Sequence, residues 1–364
     1  MHNSGTSTYD LLLKGGHVMD PANGINGPRD VAIAEGKIAA MASDIPAAHA
    51  KKVVAAERFY VVPGLIDMHI HAFGYVGWLF PDAHALPNGA TTVVDAGGAG
   101  WKSFERFKEE IIARSKTRVL AFLNIVGAGM VEQYEQDMRE MVAAPAAEMI
   151  RRYPDLLVGV KVAHYLGPGW EAIDPAVEAG GLSDTPVMVD SRVKPTRTYE
   201  DMLLRHLRPG DIHTHVYAHH IPLLDEQGRV DSYVWEARRR GVLFDVGHGA
   251  GSFWFRVAVP AIQQGFWPDT ISTDLHKESV LRPNAHLMPT MSKFLNMGLP
   301  LEEVIARCTV APARAIRRPE LGTLSVGAVA DVALLRLEEG EFGFVDSGHA
   351  RLRGTRRLHC VLTI

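Results

Sequence analysis

Eight short apolar runs alternate with amphipathic helical stretches between residues 61 and 275, and this alternation most narrowly limits how the chain can fold. The runs fall at 61–72, 91–96, 118–125, 156–164, 186–190, 211–217, 242–247 and 270–275. Most are apolar along their whole length, as parallel strands covered on both faces must be. Between them, Phe104, Phe107 and Ile111 recur at helical spacing in 103–115, with Glu109 and Glu110 on the outer face. The stretch 229–240 ends in Arg238-Arg239-Arg240-Gly241, cations and a glycine at a helix C-terminus. Eight strands with interleaved helices over about 250 residues is the count of a (β/α)8 barrel. A doubly wound open sheet is the competing arrangement, but no strand is followed by GxGxxG and no GxxxxGK[ST] occurs.

The ends of the chain read differently. Tyr9 to Lys14, Val31 to Ile33 and Lys52 to Val54 are strand-like, separated by Asn23-Gly24, Asn26-Gly27 and Glu35-Gly36 turn signals. Val332 to Leu335, Phe342 to Val345 and Cys360 to Leu362 repeat that style. The expected α/β architecture is therefore a TIM barrel over 63–317 with a small β-sandwich domain assembled from 1–62 and 318–364. A 364-residue chain has room for both. With 22% charged residues and a net charge of −4, it lacks the basic footprint of a nucleic-acid binder. No apolar run reaches the ~18 residues of a membrane span. The polar start, Met1 to Gly5, lacks a secretory signal core, so a cytoplasmic protein without membrane partners is expected. Cys308 and Cys360 form no paired spacing and read as reduced.

Chemistry-bearing residues collect where those strands end, and barrel enzymes carry their catalytic groups at strand C-termini. The first run ends in His69-Ile70-His71, two imidazoles on one strand face and a ready pair of ligands for a metal such as zinc. Lys161 interrupts the apolar fourth run, the fifth ends at Asp190, and the sixth holds His213 and His215. The seventh ends in Gly247-His248-Gly249 and the eighth in Asp274. So many buried ionisable groups on one rim would repel or stay unsatisfied without a metal.

Several strings extend the pattern: Pro63-Gly64-Leu65-Ile66-Asp67-Met68-His69-Ile70-His71, Gly89-Ala90-Thr91-Thr92-Val93-Val94-Asp95 and Phe244-Asp245-Val246-Gly247-His248-Gly249. With Leu11 to Gly16, Leu207 to Ile212 and Thr270 to Asp274, they span nearly the whole chain. The chain resembles the amidohydrolase superfamily, and within it the dihydroorotase-like amidohydrolase/deacetylase metallohydrolases. The resemblance implies two divalent metal ions, zinc or manganese. His69, His71 and Asp274 would hold the more buried ion, His215 the more exposed one, and a carbon-dioxide-derived carbamate on Lys161 would bridge them. Many relatives place a histidine after strand 5; this chain has Asp190, read as a substitute ligand. Asp274 would act as general base and then acid, His248 would orient or polarise substrate, and Arg192 would pair with a substrate carboxylate.

The implied reaction is hydrolysis of an amide in a small molecule: an N-acyl or O-acyl carboxylic acid, or a cyclic amide. A homo-oligomer is expected. Two alternatives differ in class: an idle metal-stabilised scaffold, and a serine hydrolase using Ser252, although no GxSxG elbow exists. His213, two residues below His215, reads as filler of an inner barrel layer, and Trp78, Phe80, Trp254 and Trp267 as pocket walls or core.

Overall fold

The computed structural model describes residues 8–131, 133–190 and 192–364; the polar start Met1 to Gly5 lies outside them. Seven parallel strands form one curled sheet in sequence order: Leu65–Ile70, Ala90–Gly100, Arg118–Asn124, Leu157–Val162, Val187–Val189, Ile212–His213 and Leu243–Phe244. Residues 270–275 span the gap between its edges, with parallel bridges from Thr270 to Asp245 and from Leu275 to Ile70. His71 N–H donates to the Leu275 carbonyl at 2.9 Å, and Val246 N–H to that of Thr270 at 3.2 Å. The eighth strand predicted from sequence is thus a closing segment joined by single bridges.

Apolar side chains fill the lumen, among them Ile66, Met68, Val94, Phe122, Val158 and Met188. Truncating Phe122 or Met188 to alanine there would cost about 2–5 kcal/mol. The opposite strand faces meet the surrounding helices, which include Phe104–Glu110, Ala143–Arg152, Ile173–Ser183 and Ser232–Arg240. Gly241, at φ 97°, terminates the last of these in the left-handed conformation that glycine tolerates.

The two chain ends build a second seven-stranded sheet. Val332–Val345 pairs with Tyr60–Pro63, which pairs with Tyr9–Asp20. Arg351–Thr363, Ile25–Ala34, Lys37–Ala42 and Ala50–Ala55 complete it. It curls over its own core of Leu13, Val18, Val31, Val61 and Leu334. Two expectations are corrected by the structure. Asn26-Gly27 lies inside a strand, the reversal coming earlier, around 21–24. The run 61–72 is two strands in two sheets, divided at Gly64. A Cβ at Gly64 would stand 2.1 Å from Thr91 Oγ1, so only glycine lets the chain pass there.

No helix among the described residues is long and apolar enough to cross a membrane.

Candidate metal centre

The strand Leu65–Ile70 shifts register between Asp67 and Ile70, and that irregularity turns both histidines into the barrel mouth. His71 Nε2 lies 2.9 Å from Asp274 Oδ1, and His69 Nε2 3.7 Å from it. Ligand atoms of His69, His71 and Asp274 all lie within 4.8 Å of one another. Burial pulls the His69 pKa down to about 3 and that of His71 to about 4, so both rings are neutral near pH 7. Neutral imidazole is the form that ligates metals. His69 Nδ1 donates to Thr214 Oγ1 at 2.9 Å, and Thr214 donates to Asp245 at 2.7 Å. That chain fixes the proton on Nδ1 and leaves the Nε2 lone pair facing the mouth.

Across the mouth stand Lys161, Asp190 and His215. Lys161 is 1% exposed, and its Nζ has no hydrogen-bond partner. Burial lowers its pKa, against the raising influence of Asp190 and Asp274. His215 Nδ1 donates to the Gly247 carbonyl at 2.6 Å, which aims Nε2 at Asp190 Oδ2, 3.4 Å away. Burial raises the Asp190 pKa, but the charges of His215, Lys161 and His164 outweigh it and hold the carboxyl well below its usual range. The orphaned Lys161 Nζ and His71 Nδ1, set among imidazoles and carboxylates, fit a divalent cation of zinc type.

Backbone strain concentrates here. His164, His215 and Asp274 have φ of 57°, 62° and 49°, a left-handed conformation that non-glycine residues adopt at a cost. The kink at His215 breaks the strand alternation, so His213 does not share its face. His213 leaves the lumen and packs against Tyr199 and Phe244, with ring centroids 5.0 and 6.2 Å away.

His248 lies elsewhere than the sequence suggests. It is fully buried, accepts from Lys293 Nζ at 2.7 Å, donates to the Gly249 carbonyl at 3.0 Å, and is not among the residues lining the cavity. With both ring nitrogens engaged it has none left to activate Ser252, which does line the cavity. The flanking glycines matter more directly. A Cβ at Gly247 would stand 2.7 Å from His215 Nδ1, and one at Gly249 2.3 Å from Asp274 Oδ2.

Above the site lies a cavity of about 180 Å³. Asp190, His215, Asp274 and Arg192 line it, joined by Tyr75, His164, His220 and His276. These last four lie in loops just past the strands, where no motif marks them. His164 carried the clearest signal, at the end of the Lys161 strand; its Nδ1 donates to Glu135 at 3.1 Å and its Nε2 lies 3.9 Å from Asp190. Trp78 is exposed, Trp254 donates to the Gly251 carbonyl, and Phe80 and Trp267 pack on the barrel core.

No family model matches the sequence. Among curated proteins, a deacetylase of Enterococcus faecalis is 32% identical over 93% of this chain and 93% of its own. A deacetylase of Brucella anthropi is 31% identical over 94% and 82%. The chain belongs to the amidohydrolase superfamily. Solved structures agree: an adenine deaminase superposes with a TM-score of 0.90 at 30% identity over 98% of both chains. A dihydroorotase gives 0.86 at 29% identity over 97% of both. As an amidohydrolase the protein is a hydrolase of C–N bonds on a TIM-barrel scaffold with a terminal β-sandwich.

Proposed function

We propose that this amidohydrolase is a metal-dependent deacylase of small N-acyl or O-acyl carboxylic acids, with cyclic amides as the neighbouring substrate class. The observation that carries this reading is the buried, unpartnered Lys161 Nζ facing the histidines and carboxylates of the mouth. An ammonium left there without a partner would cost several kcal/mol. Addition of the neutral amine to carbon dioxide, with loss of one proton, gives a carbamate whose two oxygens turn an orphaned donor into a ligand. His69, His71 and Asp274 would then hold one ion, and His215 with Asp190 the other, Lys161 serving both. Zinc or manganese suits that mixed nitrogen and oxygen set. When bound, such ions supply Lewis acidity, lowering the pKa of water and polarising a carbonyl oxygen.

The protein's own groups do the rest. Asp274 receives the proton of the attacking water and passes it to the departing nitrogen or oxygen. Arg192, on the cavity wall, pairs with the substrate carboxylate and fixes which bond faces the water. Tyr75 narrows the entrance above His71, with ring centroids 4.4 Å apart. The deacetylase names of the relatives support the acyl reading over the cyclic one.

The test is hydrolysis of a panel of acylated carboxylic acids and cyclic amides by metal-stripped protein before and after zinc or manganese is restored. Turnover of an acyl acid that disappears on chelation and returns with metal, at two ions per chain, is expected. Full turnover by metal-free protein, or its loss to serine-directed reagents, would overturn the reading.

A further inference from the structure

Lys293 is a buried amine that this chemistry leaves unused. It lies on the helix Leu287–Asn296 at 1% exposure, and its Nζ donates to His248 Nε2 at 2.7 Å and to the Pro283 carbonyl at 3.1 Å. Burial pulls its pKa down to about 7. His248, stacked on Phe253 with centroids 4.6 Å apart, spends its other nitrogen on the Gly249 carbonyl. The peptide so gripped is a wedge between two candidate ligands. Gly247 O accepts from His215 Nδ1, Gly249 N–H donates to Thr273 O at 3.0 Å, and the α-carbon of Gly249 leaves no room for a methyl beside Asp274. From the turn between Val332–Val345 and Arg351–Thr363, Ser347 Oγ donates to the Gly249 carbonyl at 3.2 Å.

We propose that Lys293 and His248 are positioning residues, holding 247–249 so that His215 and Asp274 keep the separation a cation needs. The proposal rests on the metal reading above. An apolar pair filling the same space would leave only the Pro283 carbonyl without its donor, since the Gly249 carbonyl keeps Ser347, so stability alone gives little reason for a buried lysine against a histidine.

That difference makes the test. Lys293→Met and His248→Phe each strand a buried partner and lower the melting temperature. The double variant recovers most of it, short of the hydrogen bond to the Pro283 carbonyl. Zinc affinity, titrated into metal-stripped protein against a chromophoric chelator, is expected to stay about 10- to 100-fold weaker in the double variant, with kcat reduced and KM unchanged. A folded double variant that binds zinc as tightly as the parent would overturn the positioning role. Lys293→Met alone, scored on its folded fraction, decides if the double variant does not fold. Failure of the parent itself to bind zinc in the same titration marks failure of the metal reading, and the positioning role falls with it.

Discussion

Gly97 makes room for Lys161: a Cβ at position 97 would stand 2.6 Å from Cγ and 2.7 Å from Cβ of the lysine. Gly97 also holds φ at 88°, and Asp95 pins the turn by accepting from Gly98 N–H at 2.6 Å. Gly97→Ala therefore strains the backbone and pushes Lys161 from its place, because the collision falls on atoms close to the main chain. Stability should drop by about 1–3 kcal/mol, and kcat by about 100-fold, the scale of a 1 Å misplacement. Urea melts, kcat and metal content per chain check this; parental kcat and metal content would remove the link.

Asp274→Asn keeps an oxygen facing His71 but cannot accept a proton. Turnover should fall by about 10²- to 10⁴-fold while much of the metal is retained. Elemental analysis alongside steady-state kinetics separates proton transfer from ligation. An active variant refutes the assignment of Asp274 as base.

Arg192→Met tests recognition. A charge-assisted hydrogen bond contributes about 1.5–3 kcal/mol, so KM for carboxylate substrates should rise about 10- to 100-fold. The matching uncharged amide should show no such change. An equal rise for both would mean that Arg192 shapes the wall without reading charge.

Far from the mouth, Asp30 accepts from Lys14 Nζ and from the N–H groups of Gly15 and Ile45, each at 2.7 Å. Burial raises its pKa, but those donors outweigh it and hold the carboxyl below its ordinary value. The folded state thus binds this proton less readily than the unfolded chain. The resulting stability is complete above about pH 4 and drains as pH falls through the lowered value. Urea melts of Asp30→Asn against the parent should show a gap at pH 7 that narrows in acid. A gap that persists to about pH 2 would exclude the ionised carboxylate as its source.

His69, His71 and Asp274 were legible in the sequence because buried strands that run straight into ionisable residues need a counter-charge waiting at their ends. Lys161 was legible for the same reason. His248 was read as a substrate contact because it ends a strand between glycines; the close approach those glycines allow is to His215 and Asp274, while the imidazole turns inward to Lys293. His213 was misplaced because strand parity carries no information across the left-handed turn at His215. Asp67, Asp95 and Asp245 stood in the recognised strings without a role. The structure makes them buried acceptors for Thr273, for Ala72 with Gly98, and for Thr214 with Ser272. Burial raises Asp67 and Asp95 to about 7, a cost tolerated where the loops must not shift. Tyr75, His220 and His276 come from loops whose course depends on distant packing, so spacing could not reveal them.

The strand Tyr60–Pro63 joins through Gly64 to the strand that carries the histidine pair, and it is held between Tyr9–Asp20 and Val332–Val345, segments far apart in the sequence. Without Val332–Val345, the strand that leads into the two imidazoles would keep one edge bare. A fragment that stops before Val332 should therefore be inert, although it holds every residue of the candidate centre.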